Sequence, residues 1–304
     1  MTLEQKVDHA INLLKNIPKD GAVEIAYSGG KDSDVILELA KLSGIEYRAI
    51  YHQTTIDPPG TTLHCKNNGV EIIRPGVTFF SLIEKHGPPT RRARYCCSYL
   101  KEYKTLDRAI WGIRRSESID RGKRYFEPEI CRVYKNGQKA RVYLPLLEWD
   151  DNDLESFIRS RGIKCHPLYY DSLGNFHVER RLGCIGCPMS RSGMIKDFKQ
   201  YPKMLNLWIR STQRYLDSHP NVSSVNKFKD AFHLMYHNIF CSSYRDYLQR
   251  ITMPVYPVGV EDLSEWRERY FCKNWKQGCG VDLNVKRYLS DYFGLNFEVN
   301  QIKK

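Results

Sequence analysis

Four cysteines and one glycine-rich turn hold most of the chemistry that this 304-residue chain advertises. The turn, Ser28-Gly29-Gly30-Lys31-Asp32-Ser33, follows a β-prone run from Val23 to Tyr27 and precedes helical spacing at Val35, Ile36, Leu39 and Ala40. Paired glycines let the backbone take positive φ and aim successive N–H groups at an anion, and the following helix adds the positive end of its dipole. Phosphate is the natural guest. Lys31 would neutralise its charge and Ser28 and Ser33 would donate hydrogen bonds. Asp32 reads as a Mg²⁺ ligand, because a bare carboxylate would repel a polyphosphate. The P-loop of common ATPases is excluded: it needs a glycine five residues before Gly-Lys and a Ser or Thr after the lysine, where this chain has Ile25 and Asp32.

The cysteines are the adjacent pair Cys96-Cys97 and the later Cys184-Ile185-Gly186-Cys187. They stand far apart in sequence, so only the fold can assemble them. Neighbouring cysteines suit the close corners of a cubane better than a structural zinc tetrahedron, and Cys-x-x-Cys is the usual two-residue ligand hop. The expectation is a 4Fe-4S cluster on Cys96, Cys97, Cys184 and Cys187, with zinc or buried thiols as the alternatives.

These groups sit on a basic chain with 47 Lys and Arg against 35 Asp and Glu, a formal net charge of +12. Anionic partners are favoured, and nucleotides, sulfated nucleotides and nucleic acid all qualify. Between residues 91 and 124 there are eleven Lys or Arg and four acids, so the excess gathers around the first cysteine pair. No run of about 18 apolar residues marks a membrane span, and no secretory signal pattern opens the chain. A cytoplasmic protein is expected, with its ten cysteines kept as thiols by cellular reductants.

Strands and helices must position all this. A capping box at Thr2 and Gln5 starts an amphipathic helix through Val7, Ala10, Ile11 and Leu14. Strands are expected at 23–27, 47–51, 70–73 and 109–113, with helices at 61–68, 79–85 and 154–161. Asn136-Gly137 predicts a hairpin turn between Val133-Tyr134 and Arg141-Val142-Tyr143. Strands alternating with helices give an α/β, doubly wound, mostly parallel sheet, with ligands at the carboxyl ends of its strands. From about residue 195 the pattern turns helical and aromatic, and the seven-residue spacing of Tyr201, Trp208 and Tyr215 reads as a packed helix face. The domains expected are 1–195, carrying the nucleotide chemistry, and a helical accessory region at 196–304.

At Ser28 to Ser33 the chain resembles the N-type ATP pyrophosphatases, the adenine nucleotide α-hydrolase group, whose signature is Ser-Gly-Gly-x-Asp-Ser. Cys-Cys followed by a distant Cys-x-x-Cys resembles the cluster motif of the phosphoadenosine phosphosulfate (PAPS) reductase family, shared with iron-bearing adenylyl-sulfate reductases and DNA phosphorothioation enzymes. Three further segments agree: Gly112 to Ser118 with Arg121, Pro145 to Trp149 with Asp153, and Gly162-Ile163 with His166-Pro167-Leu168-Tyr169. Together they cover roughly residues 23 to 190. The resemblance implies that Lys31 and Asp32 serve catalysis. It also implies that Arg114, Arg115 and Arg121 grip phosphate or sulfate through their guanidinium forks, unless they form surface ion pairs. Lys101 would tune a cluster or bind sulfate. His166 is read as a packed, hydrogen-bonded histidine.

Sulfonucleotide reductases of this family deliver a cysteine from a tail motif, Glu-Cys-Gly-Leu-His, of which Gly278-Cys279-Gly280-Val281-Asp282 keeps only Cys-Gly. Cys241 and Cys272 read as buried or incidental thiols. The segment from His52 to Thr61 also departs from the family's substrate turn. The leading expectation is therefore an iron-sulfur ATP pyrophosphatase that adenylylates an acceptor for sulfur transfer, with nucleic acid as a candidate acceptor and a sulfur or electron donor protein as partner. The alternatives are a PAPS or adenylyl-sulfate reductase releasing sulfite, and a nucleotide-sensing or nucleic-acid-binding module with a structural cluster.

Overall fold

The computed structural model describes residues 1–102, 106–134, 137–222, 227–252, 263–271 and 283–295. Cys272 and Cys279 lie outside the described residues, as does Asn136 of the expected hairpin turn. The first elements in chain order are α1 (Leu3–Lys15), β1 (Val23–Ala26), α2 (Lys31–Ser43), β2 (Tyr47–His52), α3 (Thr61–Asn67), β3 (Glu71–Ile73) and α4 (Phe79–His86). Then come α5 (Tyr95–Leu100), β4 (Arg108–Ile110), α6 (Ile119–Gly122), β5 (Glu129–Val133), β6 (Lys139–Tyr143) and α7 (Asp151–Arg161). The remaining helices are α8 (Arg191–Gln200), α9 (Pro202–Ser218), α10 (Ala231–Phe240), α11 (Tyr244–Thr252), α12 (Leu263–Tyr270) and α13 (Val285–Phe293). None of the described helices is long and apolar enough to cross a membrane.

The chain divides into two compact units, one of residues 1–76 and 95–184, the other of residues 77–94 and 185–304. The second unit thus begins before the expected boundary at 195/196. It also claims α4, whose apolar face says that it must be buried but not against what.

The first unit holds a six-stranded sheet in the order β3-β2-β1-β4-β6-β5. All neighbours pair in parallel except β5 and β6, which form the antiparallel hairpin expected from the Asn-Gly turn. Val23, Glu24 and Ile25 of β1 are all buried, as a central parallel strand requires. From β1 the chain first goes to β2 on one side and later returns to β4 on the other. The carboxyl ends of β1 and β4 therefore form a topological switch point, where open α/β sheets place their ligands. Helices α1, α2 and α7 cover one core built on Leu14, Ile36, Leu39, Trp149 and Phe157. A smaller cluster centres on Ala109, Val142, Leu144 and Leu147. The Thr2–Gln5 capping box forms as the sequence predicts.

The second unit is helical in its described residues. Its centre is aromatic: the ring of Phe79 lies 4.8 Å from that of Trp208, and Phe198 packs edge-on to Trp208 at 5.8 Å. Trp208 is buried, and Tyr215 closes over Gly87, so the seven-residue aromatic spacing is a packing face.

Candidate functional site

The glycine turn does at the switch point what its sequence suggests. Gly29 takes φ +78°, and Gly30 starts α2 with no side-chain cap on the helix's first amides. A helix N-terminus without a cap leaves N–H donors for an anion. Ser28 Oγ accepts from the Gly30 amide at 3.3 Å and donates to Ser33 Oγ at 3.3 Å, while Ser33 Oγ donates to the Gly30 carbonyl at 2.7 Å. The hydroxyls thus brace the turn as well as line it. A Cβ on Gly29 would meet Thr61 at 3.0 Å and Leu182 at 3.3 Å, so glycine is required there for close approach as well as for its backbone angle.

Lys31 is 4% exposed, and its ammonium lies 3.3 Å from Asp32 Oδ2 and 5.5 Å from the centre of the Tyr169 ring. Asp32 is the hub of the charges. Its other oxygen accepts from Arg114 Nε at 2.6 Å, and Arg114 also reaches Asp151 at 2.8 Å and Ser116 at 3.1 Å. Arg114 is 2% exposed, so these partners occupy a guanidinium that the family resemblance assigns to phosphate. In this arrangement Asp32 joins two cations, and a Mg²⁺ ion would have to displace one of them to reach the carboxylate. Arg114 acts as a positioning residue that ties the loop after β4 to the start of α2.

Arg121 pairs with Glu117, and Arg115 pairs with Glu148 at 3.1 Å while lying over the Phe126 ring. Arg121 is the more telling of the two. Burial lowers its guanidinium from the ordinary arginine value, and the neighbouring charges of Arg181 and Arg114 push the same way. Crowded cations of this kind are relieved by an anion.

Arg181 and Tyr169 are site residues that the spacing of the motifs does not reveal. Arg181 donates to the Glu117 carbonyl at 3.0 Å and has no carboxylate partner among the described residues. The Tyr169 hydroxyl accepts from the Lys31 amide at 3.2 Å, and burial raises its pKa well above the usual phenol value. Tyr169 stands in a segment that the family resemblance includes, which was the available signal. Arg181 lay between that segment and the Cys-x-x-Cys, beside Leu182, whose side chain packs on the glycine turn.

Three of the four cysteines expected to ligate a cluster belong to the same unit as the turn. Cys96 and Cys97 lie on α5, and Cys184 approaches Thr54 Oγ1 at 3.5 Å in the loop after β2. Lys101 lies within hydrogen-bonding reach of the Cys184 sulfur. Burial alone would lower the Lys101 ammonium, but the sulfurs of Cys184 and Cys97 and the Asp57 carboxylate outweigh it and raise its pKa. Asp57 is itself fixed by the Thr54 amide and hydroxyl, both at 2.7 Å. Leu182, two residues before Cys184, contacts Gly29, so phosphate turn and thiols occupy the same end of the sheet.

Among the described residues, however, no group of three or more His, Cys, Asp or Glu side chains is drawn close enough to hold a metal ion. The thiols suit a soft metal by chemistry, but as placed Cys184 and Cys97 surround a lysine ammonium rather than a coordination sphere. Cys187 lies in the second unit. Cys241, 3% exposed, has its thiol pushed up to about 12 by burial and is the buried thiol expected.

His166 is fully buried; its Nδ1 accepts from the Leu168 amide at 3.1 Å and its Nε2 lies 3.4 Å from Thr61 Oγ1. Burial, then the nearby His64, lowers the imidazole to about 4. The histidine is a neutral brace for the Tyr169 segment. Its depressed pKa means that the unfolded chain takes the proton first as pH falls below the ordinary value of 6.5. The stability it confers is complete above that pH and is lost as pH drops toward 4, by about 3 kcal/mol in all. Urea unfolding from pH 7 to pH 4.5 should therefore show a steeper loss for the wild type than for His166→Gln, whose amide oxygen can accept the same bond. Parallel profiles would contradict the assignment.

Residues 22–190, more than half of the chain, match the sequence model of the phosphoadenosine phosphosulfate reductase domain. The uncharacterized protein MJ0973 of Methanocaldococcus jannaschii is 28% identical over 212 residues, 65% of this chain and 49% of that protein. The chain thus spans about half the length of that curated relative. Among solved structures, phosphoadenylyl-sulfate reductase from Candida auris is 17% identical with a TM-score of 0.40, covering 57% of this chain and 93% of the other. The U34-tRNA thiolase NcsA from Methanococcus maripaludis, solved with its 4Fe-4S cluster, is 12% identical with a TM-score of 0.37, covering 73% and 80% of the two chains. From the strand that enters the glycine turn to the cysteines that follow Arg181, this chain belongs to the phosphoadenosine phosphosulfate reductase domain family.

Proposed function

We propose that the chain is an ATP pyrophosphatase of this family that adenylylates an acceptor for subsequent sulfur transfer. One observation carries the reading: a buried lysine and the crowded Arg121 and Arg181 flank an uncapped helix N-terminus, a setting for more negative charge than a single phosphate brings. An acceptor oxygen attacks the α-phosphorus as the α–β bond breaks, and the electron pair leaves with pyrophosphate. The Lys31 ammonium and the positive end of the α2 dipole stabilise that departing charge. Arg114, held by Asp32 and Asp151, keeps the turn in register. Nucleic acid is the acceptor class favoured by the net charge of +12.

The test uses the full chain, purified without oxygen and supplied with labelled ATP or with a sulfonucleotide and a thiol reductant. Pyrophosphate release from ATP is the expected result. Sulfite from the sulfonucleotide without pyrophosphate would establish the reductase instead, and neither product would leave a binding module. The cluster expectation rests on donor chemistry alone, and the same preparation decides it: about four iron and four sulfide per chain are expected. Zinc without sulfide would remove the cluster.

A further inference from the structure

The second unit contains a cavity of about 500 Å³ that the family site does not use. That volume falls within the ~300–1,000 Å³ typical of small-molecule sites. Its charged lining is entirely cationic: Arg91 and Arg92, just before α5, and Arg191, the first residue of α8. No Asp or Glu lines it, and among the described residues neither Arg91 nor Arg92 has a carboxylate within ion-pair distance. Asp246 of α11, whose charge His237 feels, is held by Arg250 at 2.7 Å and by the Ser242 amide and hydroxyl at 2.7 and 2.9 Å. Arg91 and Arg92, without a carboxylate partner among the described residues, together with Arg191 around one cavity call for an anion of more than one charge or for a chain of them.

Arg191 is anchored, not loose. Its Nη2 donates to the Cys241 carbonyl at 2.8 Å, which fixes the side chain between α8 and the end of α10 and leaves its other donors for a ligand. The floor is apolar, with Met194 and Cys241 buried 2% and 3% exposed, and Met189 at the rim. Methionine sulfur and methyl groups adapt to flat, polarisable partners. His237 and Asn238 supply polar edges, and the Asn238 Nδ2 has no hydrogen-bond acceptor among the described residues. Burial lowers the His237 imidazole, and the charges of Lys227 and Arg191 push the same way, so the surroundings are electropositive. Phosphate-binding cations over an apolar, polarisable floor with a few amide and imidazole edges match a nucleotide: charge at one end, a flat heterocycle at the other.

We propose that this cavity is a second nucleotide site, carried by the helical unit, that takes a phosphate-bearing nucleotide unit with Arg91, Arg92 and Arg191 as its anion contacts. The assignment does not depend on the sulfur-transfer reading. The unit it binds comes either from a free mononucleotide or from a single-stranded nucleic acid, whose chemistry at this cavity is the same.

The experiment uses the full chain carrying Lys31→Ala, which removes turnover at the phosphate turn, with and without Arg91→Glu and Arg92→Glu, so that the two reversals report the helical unit's cavity. Both arginines are exposed, and circular dichroism melts of the two proteins should coincide. Fluorescent AMP and a fluorescein-labelled single-stranded 12-mer are titrated separately by anisotropy. Saturable binding of either probe to the Lys31→Ala protein is expected, weakened at least about tenfold by the two charge reversals. For the 12-mer, the slope of log K against log salt should flatten by at least about 1.4, the value for two lost phosphate contacts on a single strand. Competition of AMP against the 12-mer identifies the free nucleotide as sufficient, and binding of the 12-mer alone identifies the polymer. The proposal fails if neither probe binds the Lys31→Ala protein, or if the reversals leave affinity and salt slope unchanged.

Discussion

Replacing Lys31 by alanine should cut kcat/KM for pyrophosphate release from ATP by about 10²–10³-fold, the usual cost of removing one preorganised donor from a developing charge. The side chain is buried at the start of α2, where water cannot take over its role. Its loss leaves Asp32 still paired with Arg114, so the turn keeps its shape and the melting curve should move little. Most of the effect should appear in kcat, because Lys31 is assigned to charge that builds as pyrophosphate departs. Steady-state kinetics with a pyrophosphate-coupled assay give the numbers. An unchanged kcat with a raised KM would place Lys31 in ground-state binding only, and turnover within threefold of wild type would remove it from the chemistry. The absorbance of any bound cluster should be the same in both proteins.

The second large effect concerns stability. Gly186 takes φ +77°, and a Cβ there would lie 2.6 Å from Phe198 Cζ, 2.8 Å from its Cε1 and 3.2 Å from Trp208. Both rings are buried, so neither can step aside. The Gly186 amide also donates to Asp197 Oδ2 at 2.9 Å, which pins the turn between the two cysteines against α8. Gly186→Ala therefore combines a left-handed backbone penalty with overpacking, and should destabilise the second unit by about 3 kcal/mol. Urea titration followed by far-ultraviolet circular dichroism, to which the helical second unit contributes strongly, measures it. Phe198→Leu in the same chain should recover part of the loss by making room. A destabilisation under about 0.5 kcal/mol would show that the ring can move, contrary to its packing.

Much of the first unit was readable before any coordinates. The strand, glycine turn and helix from Val23 to Ser43 are local, since positive φ at Gly29 and the apolar run of β1 leave few alternatives. The hairpin β5–β6 is equally local, marked by its Asn-Gly turn. What escaped reading is long-range. The resemblance assigns Arg114 to phosphate or else to ion pairs, and its partners are set by where Asp32 and Asp151 arrive in space. Tyr169 and Leu182 reach the turn from more than a hundred residues away, and periodicity carries no trace of that. The cysteine pairs show the same limit in reverse: their types announce a soft-metal site, but only tertiary geometry decides whether sulfurs meet, and here a lysine ammonium stands against two of them. The membership of residues 77–94 in the helical unit was hidden too, because α4 reads as amphipathic whichever partner it packs on.

That shared ownership of the chain has an outcome for biosynthesis. The backbone passes between the two units three times, at 76/77, 94/95 and 184/185. As the protein emerges from the ribosome, Phe79, Leu82 and Ile83 of α4 appear more than a hundred residues before α9, the helix they rest on, is translated. The nascent polypeptide must carry that sticky surface through the synthesis of β4, β5 and β6. Chaperone occupancy should be greatest in this interval, and a gene cut short after residue 184 would leave the surface uncovered for good.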